Sequence, residues 1–274
     1  LAMSLALPET RYREPAQRAN FYKEALQRIR ALPGVQSAGA VSNLPLSGDN
    51  SSGSFRIEGR EVPQGQSLPH GDRWAATTDY FSTMKIPIVR GRFFDDRDTM
   101  ESLPVAIIDE AMARKYWPDE EPLGKRISFQ VLNSNRVWRE IVGIVGHVRH
   151  RGLEGESRVQ YYMPHSQTQN PYMTLVVRAG VDPTSLTGSV RGAISGLDKD
   201  LPAFRVKTME QFVSESMAQR RSAMTLVGVF AAVALALACV GHYGVLSYSI
   251  TQRLHEMGIR MAPGANPADV LRLV

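Results

Sequence analysis

GHVRHRG, residues 146–152, places His147 and His150 three apart. On a helix two imidazoles so spaced could share a metal or a proton. The preceding VGIVGHV reads as a strand end, which turns residues three apart to opposite faces. The two histidines are therefore expected as a surface pair rather than a metal site. FFDDRDTMES, residues 93–102, gathers Asp95, Asp96 and Asp98. A calcium loop needs a glycine at its sharp turn and a closing bidentate glutamate. Both are missing, so a solvated, capping loop is expected. PLGKRI, around Lys125, lacks the upstream glycine and the following hydroxyl of a phosphate loop, so ATP hydrolysis by this chain itself is not expected. The serines of DNSSGS, residues 49–54, have no G-x-S-x-G setting and no histidine close in sequence. A flexible polar loop is the reading there. No catalytic, cofactor-binding or metal-binding residue is assigned, and no cofactor is expected.

With chemistry so thinly supported, the elements carry more of the meaning. The chain has 274 residues, 43% of them hydrophobic, enough for one large domain or two small ones. Its net charge of +5 is spread along the chain without a block of like charges, so nucleic acid is not an expected partner. The single cysteine, Cys239, excludes an intrachain disulfide and a thiolate cluster. There is no initiator methionine and no signal-peptide pattern, and residue 1 is expected to be a cut into a longer protein.

From Ser222 to Gln252 no Asp, Glu, Lys or Arg occurs, and the core is MTLVGVFAAVALALACVGHYGVLSYSI. About 20 apolar residues cross the hydrocarbon layer of a bilayer, so a transmembrane helix over 222–251 is expected. A buried core helix is the weaker alternative, since soluble helices average about 11–12 residues and rarely stay apolar all round. Gly228, Ala232 and Ala236 fall four apart, as do Ala234 and Ala238; with Gly241 and Gly244 they offer small-residue faces for packing against another helix. His242, near the helix end, is expected to be interfacial or helix-facing rather than a proton relay. Tyr243 and Tyr248 suit an interfacial belt, and the flanking arginines leave the orientation undecided.

Before that stretch the patterning predicts an α+β domain with an internal echo. LAMSLALP (strand), Pro15 to Ala31 (amphipathic helix) and VQSAGAVS (strand) form one βαβ unit. YMTLVVRA, a helix from Pro183 to Leu197, and AFRVKTM form a second. The two units predict a split ferredoxin-like layer, porter-like over residues 1–50 and 168–212, with a β-rich lobe inserted over 54–165. In that lobe only DYFSTMK and DEAMARKYW read as helical, the second with Asp109 as N-cap.

Five segments now form a pattern: FYKEALQRIRALPGVQSAGAVSNLPLSG, DYFSTMKIPIVRGRFFDDRDT, PVAIIDEAMARKYWPDEEPLGKRI, IVGIVGHVRHRGLE and GVLSYSITQRLHEMGIRMAPGA. In this order they resemble the MacB/FtsX-type ABC transporter permeases, most closely the duplicated permeases of that family without a fused ATPase. The resemblance implies that 1–218 is an extracytoplasmic core domain, that 222–251 returns the chain through the bacterial inner membrane, and that 266–274 begins the next helix. It implies an amphipathic coupling helix over 252–262, in which His255, Glu256, Ile259, Arg260 and Met261 would meet a separate ABC ATPase subunit. The family's usual Arg-Glu pair is here His255-Glu256, and its usual leucine before the closing Gly-Ala is Pro263. It further implies mechanotransmission, in which ATP-driven closure of the ATPase moves the spans and reshapes the outer domain. The implied partners are the ATPase, a second permease half or homodimer partner, the lipid bilayer and a periplasmic adaptor. Two rivals stay open: a membrane-anchored extracytoplasmic binding or sensor domain, and a membrane-tethered enzyme.

Overall fold

The computed structural model describes residues 1–63, 65–130, 136–152 and 158–261; for 218–223 and 250–261 it describes the backbone alone. The chain divides into two compact units, Leu1–Ser216 and Met217–Val274.

The first unit is built on one 12-stranded sheet. Its chain begins with strand β1 (Ala2–Ala6), helix α1 (Pro15–Arg30) and strand β2 (Val35–Val41). The echo comes later as β11 (Tyr172–Ala179), a 3-10 turn (Pro183–Leu186), α5 (Thr187–Ser195) and β12 (Phe204–Lys207). These four strands lie in the order β12-β1-β11-β2 with antiparallel neighbours, so each βαβ unit is split by a strand of the other. The expected ferredoxin-like layer is present. α1 forms because Pro15 fixes its first turn and Glu14 with Gln17 closes a capping box. Phe21, Tyr22, Ala25, Leu26 and Ile29 then recur at helical spacing and are buried against Met3, Leu5, Ala38, Ala40 and Leu175.

The middle segment supplies β3 (Ser52–Ser54), β4 (Arg56–Ile57), β5 (His70–Ala76), α2 (Tyr80–Met84), β6 (Ile88–Gly91), β7 (Val105–Asp109), α3 (Glu110–Tyr116), β8 (Arg126–Ser128), β9 (Arg139–Val145), β10 (Gln160–Pro164) and α4 (His165–Thr168). Its strands extend the same sheet as β2-β5-β10-β7-β9-β8-β4. β7 and β9 are parallel, as are β5 and β10, and VAIID is buried throughout because both faces of the sheet are covered. Ala106 and Ile108 join one cluster with Phe55, Trp117 and Tyr161; Ile107 joins another with Trp74, Phe81 and Tyr162.

The two parts of the sheet meet at a narrow seam. β2 and β5 share one paired position, Val41 with Ala76. Beside it the Ser42 N–H donates to the Ala75 carbonyl at 2.8 Å and the Thr77 N–H to the Ala40 carbonyl at 2.9 Å. Hydroxyls complete each pair: the Ser42 Oγ accepts from the Ala75 N–H at 3.0 Å, and the Thr77 Oγ1 from the Ala40 N–H at 2.8 Å. Gly39 lets α2 cross here, since a Cβ at that position would stand 2.7 Å from the Tyr80 Cα.

One expectation is overturned at once. The serines read as a flexible loop form β3, pairing Ser52 with Asp72 and Ser54 with His70. Serine and glycine carry little strand preference, and the free side of β5 recruits them.

Candidate functional site

The feature that separates this chain from an ordinary globular domain is helix α6 (Met209–Met261), 53 residues long. Its start is fixed in three ways. Thr208 and Gln211 cap each other reciprocally: the Gln211 N–H donates to the Thr208 Oγ1 at 3.3 Å, and the Thr208 N–H donates to the Gln211 Oε1 at 2.9 Å. Phe212 is 5% exposed and joins the cluster that contains Ala2, Val41, Trp74 and Val176. Lys207 Nζ binds both carboxylate oxygens of Glu215, at 2.8 and 2.7 Å, tying the last residue of β12 to the second turn of the helix. Since β12 pairs with β1, the helix root is one residue step from the edge of the sheet.

Within α6, Met224–Ser249 is long and apolar enough to cross a membrane. Phe230 is 66% exposed, and Leu226, Val233, Leu237 and Val240 are also open, an apolar surface that water does not favour. Gly228, Ala232, Ala236, Gly241 and Gly244 all fall in this segment, and nothing lies within 4 Å of a Cβ built at the three glycines. His242 and Cys239 are in it too, both exposed. The helix continues through Gln252 without interruption, where the sequence predicted a span ending at 251 and a separate helix after it. Residues 251–257, TQRLHEM, contain neither proline nor glycine, so nothing local stops the helix there. His255, Glu256, Ile259, Arg260 and Met261 occupy its last two turns on described backbone, while their side chains lie outside the described residues. The Pro263 break and the expected helix over 266–274 lie outside them as well.

The polar residues singled out for chemistry turn out to be structural. His150 is buried, not a surface residue, and stacks on Trp74 with ring centroids 4.3 Å apart. Burial, reinforced by the positive field of His147 and Arg151, depresses its pKa to about 3. His147 has a different partner, and its Nδ1 meets the fully buried Asp109 carboxylate. Asp109 caps α3 as expected, accepting from the Met112 N–H at 2.8 Å, and also accepts from the Gln160 N–H at 3.1 Å. The expected surface pair is therefore absent, since His150 is a core residue. No signal of charge or spacing marks a histidine that is wanted for its flat ring.

The acidic loop needs a similar correction. Asp98 is buried, and Arg92 grips it with two hydrogen bonds of 2.8 Å. Asp98 also caps the Asp95 N–H at 2.9 Å, so the loop caps itself, as expected, but around a buried ion pair. Asp95 is held down to about 2 by its bonds from Arg97. Among the described residues no group of three or more His, Cys, Asp or Glu could hold a metal ion.

Residues 7–193 match the family model for the MacB-like periplasmic core domain. The chain is similar to the macrolide export ATP-binding/permease protein MacB of Chromobacterium violaceum, with 27% identity over 201 residues, covering 71% of this chain and 30% of that protein. It is 23% identical over 195 residues to the pyoverdine export ATP-binding/permease protein PvdT of Pseudomonas syringae pv. syringae, covering 68% of this chain and 29% of that one. Among solved structures, the periplasmic region of MacB from Actinobacillus actinomycetemcomitans aligns at 17% identity with a TM-score of 0.49, covering 78% of this chain and 92% of that one. The chain thus spans about 30% of the length of the curated relatives it matches.

Proposed function

Because the chain belongs to the family of the MacB-like periplasmic core domain, we propose that it is part of an ABC transporter permease whose folded unit stands outside the membrane and is moved by an ATPase on the other side. The observation that carries this reading is the continuity of α6. At about 1.5 Å rise per residue, a helix of 53 residues is roughly 80 Å long, against about 30 Å of hydrocarbon. One end is capped and packed into the sheet domain through Phe212; the other carries His255, Glu256 and Arg260 past the apolar segment. A helix with all its backbone groups satisfied internally transmits displacement along its axis through lipid.

In this mechanism the ATPase closes on ATP, and His255, Glu256, Ile259, Arg260 and Met261 are the contacts it pulls. The helix shifts as a rigid element, and its root drags β12 and β1. The narrow β2–β5 seam, with one paired position, is where the sheet can yield. The small residues Gly228, Ala232, Ala236, Gly241 and Gly244 give a second permease half or a homodimer partner a close approach. A periplasmic adaptor would meet the sheet domain. No bond is made or broken by this chain; export of a substrate, as in the proteins it resembles, would follow from the shape change.

The reading is tested by co-purification of the full-length protein with its ATPase subunit. Changing Glu256→Ala and Arg260→Ala together should abolish the association while leaving the sheet domain folded. Retained association in the double variant would sink the coupling role.

A further inference from the structure

The seam between the two parts of the sheet opens a cleft of about 310 Å³ on the face that α1 covers. β2 leaves β5 after Val41, its chain continues through Asn43, and β10 lies on the other side of β5, so three segments diverge around one depression. Its volume is at the small end of ligand sites, about 300–1,000 Å³.

Two arginines are among its lining residues, Arg18 from α1 and Arg73 from β5. Arg18 is held by the backbone: its Nε donates to the Tyr12 carbonyl at 2.8 Å and its Nη2 to the Arg13 carbonyl at 3.4 Å. Arg73 donates its Nε to the Ser51 Oγ at 3.3 Å. Arg92, Arg126 and Arg151 each sit on a carboxylate. Neither Arg18 nor Arg73 has one among the described residues, so both keep donors and full charge available in the cleft. A positioned, unpaired guanidinium favours a planar or tetrahedral oxyanion that it can grip with two N–H groups. Met163 and Pro171, both half-buried, offer an apolar surface in the cleft, beside the amides of Asn43 and Asn170.

We propose that this cleft binds a small organic anion, a carboxylate or phosphate group carried on a compact apolar body. The oxyanion lies between Arg18 and Arg73, and the apolar body covers Met163 and Pro171. The site goes beyond the transporter reading and does not depend on coupling to an ATPase.

The test is calorimetric titration of the full chain, in a neutral detergent, with phenyl phosphate, phenylacetate, inorganic phosphate and benzyl alcohol. Saturable one-to-one binding of phenyl phosphate or phenylacetate is expected, and whichever binds tighter identifies the head group. Arg73→Gln and Arg18→Gln should each weaken it at least tenfold with an unchanged melting temperature. Arg191→Gln, on the exposed side of α5, should leave it intact. The proposal is overturned if neither aromatic anion saturates, if both cleft variants bind like the parent, or if Arg191→Gln weakens binding as much as they do. It is equally overturned if benzyl alcohol binds as well as the anions, or if inorganic phosphate binds as tightly as phenyl phosphate.

Discussion

The sheet unit and the apolar helix solve the problem of hydrophobic surface in opposite ways. In Leu1–Ser216 the sheet hides Trp74, Tyr80, Tyr161 and Tyr162 completely, and even Asp109 and Asp72 are taken inside with partners to satisfy them, while His150 is buried in a stack on Trp74. In Met224–Ser249 the large apolar side chains stand open. The first arrangement is stable in water because it excludes water; the second is stable only where water is absent. Phe212 and Phe230 show the contrast on one helix, 5% and 66% exposed within eighteen positions of each other. The transition between them marks where the helix leaves the domain.

The sharpest way to break this contrast is to truncate both rings. Phe212→Ala should destabilise the sheet unit by about 3–5 kcal/mol, the usual cost of emptying a buried aromatic site. Phe230→Ala should leave the unit's melting within about 0.5 kcal/mol. Equal effects in thermal denaturation would mean that the root is not part of the core.

A second difference is chemical. His150 is neutral when folded, with a pKa near 3 against 6.5 when exposed. The unfolded chain therefore binds the proton first as pH falls. The stability tied to burying the neutral ring is complete above pH 6.5 and is lost toward pH 3, by about 1.4 kcal/mol per unit. His150→Phe keeps a flat ring against Trp74 and should flatten the denaturation midpoint measured across that window. An unchanged pH slope would show that His150 is already charged in the folded state.

A smaller effect is expected at the junction. Thr208→Ala removes one half of the cap and should cost about 1 kcal/mol, with faster amide exchange over 209–212. Unaltered exchange there would show that Phe212 alone fixes the root.

Much of this fold could be read before the structure, for identifiable reasons. β11 was legible because YMTLVVRA is apolar, β-branched and bounded by turns, and α1 because its buried residues recur at helical spacing. The long apolar helix was legible by composition. What stayed hidden depended on distant partners. Ser52–Ser54 became a strand through β5, His150 was buried by Trp74, and Asp98 was buried by Arg92. The short seam that joins the two parts of the sheet leaves no local trace either, since it is closed by long-range backbone and hydroxyl bonds of Ser42 and Thr77. The cleft above α1 escaped for the same reason: Arg18 and Arg73 are 55 positions apart in the chain and each looks like a solvated cation. The coupling residues were assigned by resemblance, with no packing signal of their own.

In the proposed mechanism α6 carries motion from its far end into the sheet. Amide exchange of the full-length protein bound to its ATPase, with and without ATP, decides this when the parent is compared with Ser214→Pro. Proline at this exposed helix-interior position removes a backbone donor and breaks the helix between the root and the span. ATP is expected to change exchange in β1, β12 and 208–212 of the parent, and Ser214→Pro to abolish this change while the ATPase stays bound. An ATP-dependent change that persists through the broken helix, or none in the parent, would contradict it.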